Sequence, residues 1–279
     1  MSNFKSFVIY LLCCFSLLLG LFLGENSSGG AKIDFNYLFP YVQNFAIDFK
    51  SGLNFYTSDT ASIIHSPVFY ILLSFIYNFV GNVIIIKFFY IILCCTLPFI
   101  FFLILKDKFQ LDKNIIFVFS LIIFLSPYFR SSAAWITTDN FAIIFFILSV
   151  NKYLAFEKKS TNQNIILCIF YISIAVYIRQ YYIIFFLLYY LKFFKILKLK
   201  KIFKLVFLTI IIFIPFIIYY YYFFKTNIIH QDLSNNVFSI NILNNILIFT
   251  SLYLFYTIPF YINYFTEIKK NVSKNLNKF

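Results

Sequence analysis

The stretch Val83-Ile84-Ile85-Ile86-Lys87-Phe88-Phe89-Tyr90-Ile91-Ile92-Leu93-Cys94-Cys95-Thr96-Leu97-Pro98-Phe99-Ile100-Phe101-Phe102-Leu103-Ile104-Leu105 decides the fold class. It runs for 23 residues with one charge, Lys87, close to its start. As an α-helix it would extend about 35 Å, enough to cross a hydrocarbon core of about 30 Å. Upstream lies a shorter apolar piece, 67–80, which ends at Gly81-Asn82 and is too short to span comfortably. Before it comes a long polar stretch from residue 24 to about 64, and before that a first apolar helix, 7–23, read as an uncleaved anchor. Downstream, apolar runs recur at 115–125, 141–150, 165–178, 182–191, 205–224 and 242–261. The pattern predicts an all-α polytopic membrane protein in a single membrane domain, 1–279. It has about eight spans and a long outer loop, 24–82, that carries juxtamembrane helices.

Composition agrees. The chain of 279 residues is 62% hydrophobic and 12% charged, with mean hydropathy +0.87. A soluble domain carries about 25% charged and about 45–50% apolar residues. A secreted disulfide scaffold, a cytosolic dehydrogenase and a nucleic-acid module are excluded. The five cysteines, Cys13, Cys14, Cys94, Cys95 and Cys168, lie inside apolar runs and read as small hydrophobes. No Cys/His group has metal-ligand spacing.

Charge sets the register. With the N-terminus cytoplasmic and 67–80 not crossing, the cytoplasmic segments are 1–6, 106–114, 151–164, 192–204 and 262–279. These hold 17 of the 23 basic residues and four of the ten acidic ones, so the whole net charge of +13 falls on one side. The positive-inside rule therefore supports this arrangement, with both termini cytoplasmic. The lysine-rich segments anchor against anionic lipid, so the bilayer itself is a partner and nucleic acid is not.

The outer face then receives both arginines, Arg130 and Arg179, the single tryptophan, Trp135, both histidines, His65 and His230, and six carboxylates. Asp34 lies about ten residues past the first helix. It is either a general base for an acceptor hydroxyl, or a solvated carboxylate, or the N-cap of a helix starting near Asn36. Asp48 is placed on an amphipathic surface helix with Phe39, Val42, Phe45, Ala46 and Phe49. Asp59 shares the loop. Arg130 and Arg179 flank spans. A guanidinium there either forks two hydrogen bonds onto a phosphate or snorkels to headgroups. Asp139, just before a span, reads as a helix cap, and His65-Ser66-Pro67 as capping chemistry for the short helix. Asn26-Ser27-Ser28 fits a glycosylation sequon.

Taken in order, these landmarks resemble the GT-C superfamily of polyprenyl-phosphate-sugar-dependent glycosyltransferases. That superfamily includes the protein O-mannosyltransferases, the lipid A aminoarabinose transferase and the terminal glucosyltransferase of the lipid-linked oligosaccharide pathway. Four features carry the resemblance: the acidic Asp34 in a long first outer loop; His65-Ser66-Pro67-Val68-Phe69-Tyr70, similar to a His-Pro-Pro-Leu-Tyr-Tyr helix start; Ser126-Pro127 and Thr137-Thr138-Asp139 bracketing an outer turn; and Arg179-Gln180 at the outer end of a later span. The chain departs from the pattern in lacking an adjacent acidic pair at Asp34, in carrying Ser66 and Thr138 where relatives have proline, and in having fewer spans.

The resemblance implies a GT-C-like helical bundle in a bacterial cell (inner) membrane. A sugar on a polyprenyl phosphate is the donor, and a lipid- or protein-linked glycan is the acceptor. Asp34 would be the catalytic base, and Arg130 and Arg179 would bind the donor phosphate. His65, Asp139, Gln180 and Trp135 would line the substrate site. A divalent cation (Mg or Mn) serves some relatives only, and no metal-binding residues are assigned here. Two competing readings are a transporter or flippase for a lipid-linked glycan or solute, and a truncated, non-catalytic GT-C relative. A transporter predicts ionisable residues in mid-span, and Lys87, near the outer end of its span, does not supply one.

Overall fold

The computed structural model describes residues 3–56, 66–109, 111–224 and 250. His65, Asp59, His230 and the apolar run 242–261 lie outside the described residues. Residues 1–226 form one compact unit. Among the described residues there are eleven α-helices, two 3₁₀ turns and no strand.

Helix α1 (Asn3–Phe22) stops at Gly24, whose φ of 65° is open to glycine without steric cost. The Gly24 N–H donates to the Leu21 carbonyl at 3.2 Å and the Glu25 N–H to the Gly20 carbonyl at 2.7 Å, the paired bonds of a Schellman stop. That stop folds Glu25 back over Gly20. Helix α2 (Ala31–Ile47) begins five residues before the start expected near Asn36. Asp34 is therefore not its N-cap. It is an exposed acid in the first turn, where the helix dipole favours negative charge. The helix buries Tyr41, Val42 and Phe45 on one face.

Asp48, expected within that amphipathic helix, instead breaks it. It has extended backbone, and its carboxylate accepts from the Ser51 N–H and hydroxyl, both at 2.7 Å, to cap helix α3 (Phe49–Tyr56). The backbone N–H of Ser51, then its hydroxyl, hold the Asp48 carboxyl below its ordinary range. Gly52 lets α3 fold onto α2: a Cβ there would sit 2.1 Å from Phe45 Cδ1 and 2.7 Å from Phe45 Cα.

Helix α4 (Val68–Val80) is the expected short helix, closed by Gly81 at φ 65°. Helix α5 (Val83–Lys108) is the quoted stretch, capped by the Asn82 side chain. Helix α6 (Lys113–Leu121) runs on through a 3₁₀ turn (Ile122–Leu125), then bends by 64° into α7 (Pro127–Ala134). Ser126 and Pro127, at cap and first position, start α7 in the ordinary way. Next come α8 (Thr138–Lys158), α9 (Asn162–Ile178), a 3₁₀ turn (Gln180–Tyr182), α10 (Ile183–Ile196) and α11 (Leu199–Phe224).

The protein is thus an all-helical, multi-pass membrane protein. Among the described residues four helices, α1, α5, α8 and α11, are long and apolar enough to cross a membrane, or five if the bent pair α6–α7 is one span. The runs 165–178 and 182–191, counted as spans from the sequence, form the shorter α9 and α10, of 17 and 14 residues. Helices α8 and α9 pack through small buried residues, among them Ala142, Ser149, Cys168 and Ala175. Small side chains of this kind let backbones approach where lipid provides no hydrophobic drive. Large apolar side chains such as Phe4, Phe203 and Phe207 point outward.

The ends of this unit differ chemically. At one, the lysine pole, α5 and α8 finish and α9 and α11 begin. Lys108 pairs with Glu157 at 3.5 Å, Lys158 with Asp107 at 3.3 Å, and Lys201 reaches Asn162 at 3.3 Å. These pairs are exposed and contribute little individually. The other, the arginine pole, joins the end of α1, the starts of α2, α5 and α8, helix α7 and the end of α9.

Candidate functional site

Both arginines lie at the arginine pole, but they do different things. Arg130 projects from α7 into the fold-back made by the α1 stop. Its Nε and Nη2 grip the two Glu25 oxygens at 2.6 and 2.7 Å, a bidentate pair. Nη1 donates to Ser16 Oγ at 3.0 Å and the Phe124 carbonyl at 3.5 Å, and Nη2 also reaches the Ser16 carbonyl at 3.2 Å. All five guanidinium donors are engaged, so a phosphate could reach Arg130 only by displacing Glu25. Ser131 Oγ accepts the Ser28 N–H at 2.9 Å, and the Ser27 hydroxyl lies 3.0 Å from it, which stitches the loop after α1 to α7.

The clamp depends on Gly20. A Cβ there would stand 2.2 Å from Glu25 Oε2. Gly20→Ala is expected to dislodge the carboxylate. The lost charge-assisted bonds, about 1.5–3 kcal/mol, then outweigh a helix-propensity gain of up to about 1 kcal/mol. Thermal unfolding in detergent should fall for Gly20→Ala in the wild type and rise for the same change in a Glu25→Ala background. A rise in both would show that the contact is immaterial.

Arg179 caps the end of α9 and pairs with Asp139 on α8, Nη2 to Oδ2 at 2.7 Å, with side chains 15% and 7% exposed. Asp139 is thus an ion-pair partner. The N-cap of α8 is Thr137, whose hydroxyl lies 3.4 Å from Asp139 Oδ2. The Tyr181 hydroxyl lies 3.4 Å from Oδ1. Burial, then the Asp139 charge, push the Tyr181 phenol above its ordinary value, while Arg179 opposes them.

Tyr70 of α4 reaches the same place. Burial pushes its phenol up; the Arg179 charge opposes this, and Tyr41, Asp139 and Asp34 reinforce it. Asp34, Asp139 and Arg179 therefore lie within electrostatic reach of a single buried hydroxyl. The hydroxyls of Tyr70 and Thr138 and the Asn140 Oδ1 are buried without hydrogen-bond partners, and the last two share the first turn of α8 with Asp139. Buried polar atoms left this way are uncommon in folded proteins.

Trp135 ends α7, and its Nε1 donates to the Glu25 carbonyl at 2.7 Å. The next residue, Ile136, adopts φ 51°, a left-handed conformation that costs a β-branched side chain on the order of 1–3 kcal/mol. This turn sends Trp135 toward α2 and α5 and delivers Thr137 to α8, where the Tyr90 hydroxyl donates to the Thr137 carbonyl. Phe35 packs on Trp135 at 5.8 Å between centroids. The Lys87 ammonium lies 3.7 Å from the Trp135 centroid and 4.2 Å from that of Phe35, and Lys32 lies 5.6 Å from Trp135.

Asp34, Asp139, Arg179 and Trp135 share one pole; Gln180 opens the half-buried 3₁₀ turn beside Arg179; Arg130 shares the pole but is held by Glu25. Sequence reasoning gives no site role to Glu25, Tyr70 or Lys87. Their signals were the glycine directly after an apolar run, the tyrosine of the short helix, and the lone charge in the quoted stretch. Among the described residues no three His, Cys, Asp or Glu side chains gather to hold a metal. No protein-family model matches the chain, and neither a curated protein nor a solved structure matches it.

Proposed function

We propose that this membrane protein is a glycosyltransferase that moves a sugar from a polyprenyl-phosphate donor to an acceptor hydroxyl on the extracytoplasmic face. One arrangement carries the reading: the exposed carboxylate of Asp34, in the first turn of α2, lies at the same pole as the Arg179 guanidinium, which pairs with Asp139 at 2.7 Å. Transfer of this kind needs a base for the acceptor and a cation for the departing phosphate.

In this scheme Asp34, exposed in the first turn of α2, takes the acceptor proton. The acceptor oxygen forms a bond to the anomeric carbon as the bond from that carbon to the phosphate oxygen breaks. The lipid phosphate leaves with the electron pair, and Arg179 stabilises its charge. Asp139 orients Arg179 and so acts as a positioning residue. Arg130 takes no part in phosphate binding, because Glu25 engages its fork. It holds the loop that leads into α2 and Asp34.

The test is a panel of radiolabelled polyprenyl-phosphate sugars presented to membranes containing the full chain. The expected result is transfer of one labelled sugar into a glycan acceptor fraction, above membranes lacking the protein. If no donor on the panel is consumed, the reading fails. ATP-independent passage of an intact lipid-linked glycan across vesicles without transfer would favour the flippase reading instead.

A further inference from the structure

Two lysines surround one indole at the arginine pole, and neither has an ion-pair partner among the described residues. Lys87 is the more constrained. It sits one turn into α5, is 9% exposed, and its ammonium rests against the rings of Trp135 and Phe35. Aromatic faces attract a cation but do not neutralise it. The other cation at the same indole is Lys32, whose ammonium lies 5.6 Å from the ring centroid. Of the acids at this pole, Glu25 has both oxygens taken by Arg130, Asp139 pairs with Arg179, and Asp34 forms no ion pair with either lysine.

The surroundings are rigid. The Trp135 Nε1 bond to the Glu25 carbonyl fixes the indole, and the Lys32 N–H donates to Asn26 Oδ1 at 3.2 Å. Two positive charges at one indole, one of them 9% exposed and neither in an ion pair among the described residues, repel each other, and an external anion would relieve that repulsion. Both stand near the start of the long apolar helix α5, where a lysine can reach the phosphates of surrounding lipid.

We propose that Lys87 and Lys32, arranged around Trp135, bind the phosphate of a membrane-embedded lipid. The site differs in kind from the Arg179–Asp139 pair, where the cation already has its carboxylate. Sugar transfer is not required for it: a protein without catalytic activity would bind the phosphate equally well. The phosphate could come from a polyprenyl phosphate or from a phospholipid headgroup, and the chemistry recognised is the same.

Trp135 is the only tryptophan in the chain and therefore a built-in reporter. The full-length protein in dodecyl maltoside is titrated with undecaprenyl phosphate, dioleoyl phosphatidic acid, and the phosphate-free undecaprenol and dioleoylglycerol, while Trp135 emission is followed. Phosphate lipids are expected to saturate the change at concentrations at least about tenfold lower than their phosphate-free counterparts, as charge-assisted bonds require. A preference of about tenfold or more for undecaprenyl phosphate assigns the site to the lipid carrier, and equal half-saturation assigns it to bilayer headgroups.

Lys87→Met should raise half-saturation at least about tenfold, while Lys87→Arg keeps it within about threefold. Lys32 is exposed. Lys32→Met should therefore leave unfolding unchanged and weaken binding by about three- to tenfold, which preserves the test if Lys87→Met fails to fold. Equal titration by the phosphate-free lipids, or wild-type binding by the folded methionine variants, overturns the proposal. Because only binding is read, such a failure leaves the sugar-transfer result untouched.

Discussion

Asp34→Asn is expected to lower sugar transfer by about 10²- to 10⁴-fold, the range that a positioned general base contributes. The substitution keeps the shape of the side chain and removes its capacity to take a proton. Asp34 is exposed and forms no ion pair among the described residues, so its structural role is confined to the first turn of α2. Losing the charge there costs about 0.3–1 kcal/mol through the helix dipole. Unfolding in detergent should therefore move little while turnover collapses. Radiolabel transfer in membranes, measured beside thermal unfolding of the same variant, separates the two. Undiminished transfer by Asp34→Asn would remove the base from the scheme.

Arg179→Met is expected to be the most destabilising of the single changes considered. It leaves the Asp139 carboxylate, 7% exposed, without its guanidinium, and breaking a buried pair from one side costs about 3–5 kcal/mol. Arg179→Met with Asp139→Leu should recover much of that loss, because neither side then carries a stranded charge. Arg179→Lys should fall between the two, keeping the charge but losing the planar fork. The comparison is made by thermal unfolding of the full chain. Wild-type stability in Arg179→Met alone would show that the pair carries no structural weight.

The helices were largely legible in the sequence and their partners were not. Unbroken apolar runs suffice for α1 and α5, because a bilayer rewards apolarity along the whole length of a helix. Helix α8 was read too short, at 141–150, because its flanks Thr138-Asp139-Asn140 and Asn151-Lys152-Tyr153 are polar. The structure shows that its first turn is polar because it faces Arg179, not because it lies outside the helix. Asp48 was placed inside an amphipathic helix since the apolar spacing continues through it, but a capping bond to Ser51 overrides the period.

Pairing is where one-dimensional reading ends. Two arginines face six acidic residues on the proposed outer side, and no spacing rule selects Glu25 for Arg130 or Asp139 for Arg179. Those choices follow from the Schellman stop of α1, which needs only Gly24, and from the antiparallel packing of α8 on α9. Lys87 was visible from the start as the single charge in the quoted stretch. Its aromatic enclosure depends on Ile136 adopting a conformation that isoleucine rarely takes, and no propensity forecasts that.

The brevity of α9 and α10 has a consequence for how a lipid would approach. At 17 and 14 residues they rise about 26 Å and about 21 Å, below the about 30 Å of an average hydrocarbon core. Hydrophobic mismatch of that size is relieved by local thinning of the bilayer. The turn that joins the two helices is the one that carries Arg179. Lipids packed beside it would tilt and sink their headgroups toward the guanidinium, so the membrane would be dimpled at the point where a lipid-borne substrate has to present its polar end.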